Sequence, residues 1–443
     1  MSEDIVLDEL QRLLDAAVRE MNVPGVAIGI VDGDSDHVLT AGVASTVTGA
    51  PVTADTLFAI GSTSKTVTAT AAMHLIEEGA FDLDTRVVDL LPELRLSDPE
   101  AQEKLLVRHL LTHSGGFLGD IDDDPQDWGA DALARSIAGF RELPQLFAPG
   151  SIASYSNAGL RLLGHLTSVV AGRPFEDLIA GTVLNPLGMT DSVYFPWEGI
   201  VRPVAVGHTV ADGMPKPAPV WGLARDMAPE GGLLSSVRDQ LRYARFHLRG
   251  EAQGPAPIGD ETRRMMQRAH IEVGPPLEAI GLPWLLTHVG DARVVRHGGN
   301  ISNLQLSEMV LLPDHDLAVT VLMNGASPLG PQLVSWCLEN LRGIHPAPAE
   351  DAVPHPSPEE VVGSYDVNLW QNVVTLEGGD IVVTPELRQD LVDQGFPPLP
   401  TVRARLGADL LLRDADGHAL GRFLTAADGT EFLHIGLRAA PRI

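Results

Sequence analysis

A chain of 443 residues with 44% hydrophobic and 20% charged side chains has the balance of a folded protein and the length for two or three domains. Its formal charge of −28 gives a surface that repels phosphate backbones, which argues against a nucleic-acid partner. Cys337 is the only cysteine, so internal disulfides and cysteine-rich metal sites are excluded. The opening stretch MSEDIVLDELQRLLDAAVRE is acidic and has no basic segment followed by an apolar one. With no long apolar window elsewhere, the expectation is a cytoplasmic protein without a signal peptide or a membrane partner.

In chain order, residues 5–21 predict a helix with Val6, Leu10, Leu13, Leu14 and Val18 on its apolar side. Pro24-Gly25 breaks it, and residues 26–32 and 37–45 read as two strands around Gly33-Asp34. A second helix is predicted to begin at or just before Ser62 and to end at Gly79. VRHLLTHSGG (107–116) predicts a helix ending at a glycine pair. Asp120, Asp122, Asp123 and Asp124 resemble the start of a calcium loop, but Pro125 replaces its turn glycine and Asp131 its bidentate Glu. A solvated acidic loop is the expectation there. Residues 130–142 and 158–189 read as mainly helical, 195–230 as a long surface loop able to wall a pocket, and 231–248 as a turn and helix capped by Ser235 or Ser236. From about 284 the pattern changes to strands divided by turns, closed by a helix over 329–342. Strands near both ends with helices between them predict one sheet assembled from two distant parts of the chain. Pro346, Pro348, Pro354, Pro356 and Pro358 mark a linker over 345–360. Beyond it, short strands at close spacing predict a small antiparallel sandwich or barrel.

Three patches carry candidate chemistry. In Ser62-Thr63-Ser64-Lys65 a helical turn brings the hydroxyl and the amine to one face. Lys65, Lys104 and Lys216 are the only lysines. Arginine supplies the other fixed cations, and arginine cannot release its proton at ordinary pH. A lysine three residues after a serine therefore suits an activated nucleophile. The alternative is that Ser62 caps the helix and Lys65 is solvated. Tyr155-x-Asn157 stands in a turn before a helix, where a phenol could move protons or simply fill a core. Arg296-His297-Gly298-Gly299-Asn300 ends a strand whose glycines allow close approach of backbone to ligand.

In this order, Ser62-x-x-Lys65, Tyr155-x-Asn157 and His297-Gly298-Gly299 resemble the three motifs of the penicillin-recognising serine hydrolases. These are the class C β-lactamases, the penicillin-binding proteins and their esterase and D-aminopeptidase relatives. HLLTHSGG (109–116), NPLGMTDS (185–192) and GGLLSS (231–236) resemble further stretches of that family, over roughly residues 20–343. The resemblance implies an α/β (α+β) fold, with an antiparallel sheet flanked by helices. It divides the chain into a catalytic domain over 1–344 with a helical insertion roughly over 66–284, the linker, and an all-β domain over 361–443. It also implies acyl transfer without cofactor or metal. Ser62 attacks a carbonyl, Lys65 and Tyr155 exchange its proton, Asn157 holds Lys65 and the substrate amide, and the Ser62 and Asn300 backbone N–H groups bind the oxyanion beside Gly298 and Gly299. The implied substrates are small-molecule or peptide esters and amides, some containing D-amino acids or made as secondary metabolites.

β-Lactamases carry Lys-Thr-Gly where this chain has His297-Gly298-Gly299, and the histidine form is more like the esterase, D-aminopeptidase and transacylase branch. Weak or absent β-lactam turnover is therefore expected. The C-terminal strands resemble a lipocalin-like appendage of some actinobacterial members, including peptide-cyclising enzymes. A stabilising or dimerising module is the alternative. Three activities remain open: acyl hydrolysis, acyl transfer or cyclisation in a biosynthetic pathway, and non-catalytic sensing or binding.

Overall fold

The computed structural model describes residues 3–21, 23–121, 127–211, 214–218, 223–348, 353–393 and 399–443. Its centre is an eight-stranded antiparallel sheet. Strands Gly25–Asp32 and Ser35–Gly42 form the hairpin around Gly33-Asp34. Gly25–Asp32 then pairs with the distant strand Leu317–Met323, which continues through Gln305–Leu312, Ala292–Ile301 and Leu285–Val289. Two short strands, Ile271–Glu272 and Ala279–Ile280, finish the sheet, so it begins earlier than residue 284.

Alternation along these strands builds two cores. Val26, Ile28, Ile30, Val310, Val319 and Val321 face one side, under helices Glu3–Glu20 and Leu329–Arg342. Ala27, Val31, Val295, Met309, Leu311 and Leu322 face the other, against the helical region that holds Ser64–Glu77, Asn157–Ala171 and Val237–Arg249. In the first helix Val6, Leu10, Leu14 and Ala17 are buried, but Leu13 is 39% exposed; its place falls at the edge of the apolar stripe.

Other local expectations change as well. The helix at 107 stops at Leu111, because His113 takes a left-handed φ of 55° that no helix continues through. Residues 195–230 contain the helix Pro196–Gly199, the hairpin of His208–Ala211 with Met214–Pro217, and the helix Ala228–Gly231. Ser236, not Ser235, caps Val237–Arg249 by accepting from the Asp239 N–H.

Beyond the proline-rich segment, strands from Gly363–Asp366 to Arg438–Pro441 run in sequence order as an eight-stranded antiparallel sheet. A bridge between Tyr365 and Arg442 and a bond from the Ile443 N–H to the Ser364 carbonyl bring its edges together, so it is a barrel and not a sandwich. Tyr365, Ile381, Val383, Leu412, Phe423 and Leu433 fill it. On Glu431–Ile435, Leu433 points into the barrel while Phe432 and His434 point out, to Phe147 and to the Ala153 carbonyl.

Candidate active site

Ser62 lies in a short 3-10 turn, Gly61–Thr63, and the α-helix proper starts only at Ser64. The turn stands at a helix start, where the first N–H groups have no intrahelical carbonyl to pair with, and of its three only the Thr63 N–H is taken up locally, by the Ile60 carbonyl at 3.3 Å. Gly61 has φ 52°, and a Cβ there would stand 2.9 Å from the Asn300 amide nitrogen. The strand Ala292–Ile301 comes equally close from the other side. A Cβ on Gly299 would fall 1.8 Å from the Ile60 carbonyl oxygen, whereas one on Gly298 would meet nothing nearer than 3.3 Å. Gly299 is therefore what lets the strand touch the serine turn. Ser307 stitches the contact by donating to the Ile60 carbonyl, with Thr63 Oγ1 at 2.8 Å from its hydroxyl. Because Leu285–Val289 pairs only as far as Arg296, residues 297–301 keep that strand edge free of a neighbouring strand.

Ser62 is half-buried, while Lys65 is fully buried. Lys65 Nζ lies 2.9 Å from Ser62 Oγ and donates to the Glu230 carbonyl at 2.6 Å. Burial pushes the amine down to about 7, against the opposing charges of Glu230 and Asp120. The Glu230 carboxylate is taken up by Arg161, which also pairs with Asp226, all three buried. The predicted helical turn between Ser62 and Lys65 thus exists, and the solvated alternative for Lys65 does not hold.

Tyr155 closes the cluster. Its hydroxyl faces Ser62, and Lys65 Nζ stands 5.0 Å from its ring centroid. Burial raises the phenol well above its ordinary range, so it stays protonated at neutral pH. His297 is buried with its ring 6.2 Å from that of Tyr155, and its Nδ1 donates to the Gly298 carbonyl at 2.8 Å. Burial and then the charge of Lys65 push the imidazole down to about 3, so it is neutral. Asn157 is the first residue of helix Asn157–Ala171, capped by Ser156, and its amide nitrogen donates to Asp120 at 2.7 Å.

Asp120 is the largest departure from expectation. It is buried, not solvated, because Arg438 and Asn157 both bind its carboxylate. Burial raises its carboxyl, but the Arg438 charge and these bonds outweigh that and hold it low. Asp122, Asp123, Asp124 and Pro125 lie outside the described residues, and Asp131 pairs with Arg135. Arg438 comes from the last strand of the barrel and lies over the Tyr155 and Trp370 rings, 5.3 and 5.5 Å from their centroids. Leu437 accepts from the Tyr155 N–H, and the Ala439 N–H donates to Ser154 Oγ. Arg438 carries no local sequence signal. His113, which stacks on Tyr155, sits within the HLLTHSGG stretch.

A family model described as Beta-lactamase matches residues 10–336. This chain belongs to the β-lactamase family. Among this family member's relatives, Penicillin-binding protein 4 of Amycolatopsis lactamdurans is 37% identical over 252 residues, 56% of this chain and 65% of the relative. Esterase EstB of Burkholderia gladioli is 31% identical over 239 residues.

 The EstB alignment thus takes in 50% of this chain and 59% of EstB itself. This chain therefore spans less than two thirds of the length of these curated relatives. The crystal structure of SurE with D-Leu superposes with a TM-score of 0.77 at 26% identity, covering 100% of both chains, so that likeness takes in the barrel as well. Among the described residues no helix is long and apolar enough to cross a membrane.

Proposed function

We propose that this protein is a serine acyl hydrolase or acyltransferase that works through an acyl-enzyme on Ser62. The observation that carries this reading is the buried Lys65 amine, 2.9 Å from the Ser62 hydroxyl and with its pKa lowered to about 7. At neutral pH much of that amine is unprotonated and able to take the serine proton. Ser62 Oγ then bonds to the substrate carbonyl carbon, and the backbone N–H groups of Ser62 and Asn300 receive the oxyanion. Such donors are each worth about 3 kcal/mol in other acyl-transfer enzymes. Tyr155 enters this scheme as a phenol. It passes its proton to the leaving alcohol or amine and regains one from Lys65. Water, or an amine acting as acceptor, then attacks the ester carbonyl and frees Ser62.

The substrates are small or peptide-like esters and amides, with D-configured residues a leading class. In favour of that class, the SurE structure, alike over its whole length, was solved with D-Leu. The test is turnover of p-nitrophenyl esters and of paired D- and L-amino acid amides, with and without an added amine, by the wild type and by S62A. We expect ester cleavage by the wild type alone and a preference for D-amides. Equal cleavage by S62A would overturn the mechanism, and a consistent L-preference would overturn the substrate class.

A further inference from the structure

Tyr155 sits on a stretch, residues 151–156, that belongs to no helix or strand. Its backbone groups must therefore find partners elsewhere. On one side these come from the barrel, where Leu437 accepts from the Tyr155 N–H and His434 donates to the Ala153 carbonyl, while the Ala439 N–H binds the Ser154 hydroxyl. On the other side the N–H groups flanking Tyr155 share a single residue. The His113 carbonyl accepts from the Ser154 N–H at 2.8 Å, and the His113 Nδ1 accepts from the Ser156 N–H at 3.1 Å. Between these two bonds the imidazole stacks on the Tyr155 ring, with centroids 4.5 Å apart and planes 25° from parallel.

Three features separate this from ordinary packing. His113 has φ 55°, a conformation that a residue with a Cβ keeps only when its surroundings hold it there. Because Nδ1 accepts a bond, the ring's proton sits on Nε2, which is buried and has no hydrogen-bond partner among the described residues. A phenylalanine would fill the same space without a buried polar N–H, but it would leave the Ser156 N–H unpaired. An asparagine would keep an acceptor and suit the backbone, but it would leave the phenol unsupported. Histidine meets both demands.

We propose that His113 is a positioning residue for Tyr155: it binds the N–H groups on either side of the tyrosine and stacks on its ring, holding the phenol at Ser62. The proposal rests on the reading of Tyr155 as the proton carrier in acyl transfer. The charged and titratable groups around His113 are Lys65, His297 and Arg438, and burial together with Lys65 keeps its imidazole unprotonated. His113 therefore contributes no titration of its own to activity near neutral pH.

The test uses the full chain and p-nitrophenyl butyrate, comparing H113N, Y155F and the double variant with the wild type. A displacement of about 1 Å at a reacting group can cost on the order of 100-fold. We expect H113N to lower kcat about 10- to 100-fold with KM within about 3-fold, and to leave the midpoint of the acid limb in place. In the Y155F background the same substitution should lower kcat by less than about 3-fold, because its effect runs through the phenol. Should H113N not fold, H113F, which keeps the ring and loses the acceptor, enters the same cycle. Wild-type kcat in H113N, or an equal loss with and without the Tyr155 hydroxyl, would overturn the proposal. An inactive S62A beside a fully active H113N would overturn it alone, whereas a fully active S62A would overturn the acyl-transfer reading beneath it.

Discussion

The Tyr155 N–H donates to the Leu437 carbonyl at 2.7 Å, so the last hairpin of the barrel forms part of the wall that holds the phenol beside Ser62. The next residue, Arg438, binds the Asp120 carboxylate, which in turn holds Asn157. Removing the guanidinium would leave a buried carboxylate without its counter-charge. We predict that R438A destabilises the protein by about 3 kcal/mol in urea or thermal unfolding. R438A/D120N should recover part of that loss, and ester cleavage should fall in R438A because Asn157 and Tyr155 lose a common support. R438A with wild-type stability and turnover would show that the barrel does not support the site.

The two glycines after His297 should behave differently. A Cβ at Gly299 would overlap the Ile60 carbonyl, which carries the serine turn, while at Gly298 there is room within a few tenths of an ångström. G299A is predicted to lose at least about 3 kcal/mol of stability, or to fail to accumulate as folded protein, with G298A nearer wild type. Comparing melting temperatures of the two variants checks this.

Lys65 is held in its site at a cost to stability. Its pKa falls from 10.5 to about 7 on folding. Between those values the unfolded chain binds a proton that the folded one does not, so stability is lost as pH drops from 10.5 to about 7 and levels off below. K65M, which removes the amine, should gain about 2 kcal/mol at pH 7 while abolishing ester cleavage, part of the gain being cancelled by the lost bond to Glu230. That gain should shrink as the pH is raised towards 10.5, which melting curves at several pH values would reveal.

The neutral His297 leaves no fixed cation at the third motif, and Arg438 is already engaged by Asp120. A β-lactam carboxylate would therefore lack a charged partner among the described residues, a deficit of about 2–5 kcal/mol. Nitrocefin turnover should accordingly stay at least about 30-fold below ester turnover. Comparable rates would contradict this account of His297.

Much of this was legible in the sequence where it is governed by local rules. The barrel strands follow period-two alternation between turn residues, and the Ser62–Lys65 spacing follows helical geometry. The helix predicted over 107–116 is too long because the glycine pair at 115–116 looks like its natural end, while the left-handed backbone at His113 is held by its contacts with Ser154 and Ser156. The solvated expectation for Asp120 fails for the same kind of reason. Its partner Arg438 is 318 residues away, and an acidic run looks solvated until such a cation arrives.

The most direct test is the rate at which Ser62 becomes acylated by a p-nitrophenyl ester, followed by intact mass and peptide mapping between pH 5.5 and 9. The account predicts a single adduct on Ser62, absent from S62A, whose rate of formation falls below a midpoint of about 7 as Lys65 takes up its proton. An adduct on another residue, or a rate that shows no fall through that range, would contradict it.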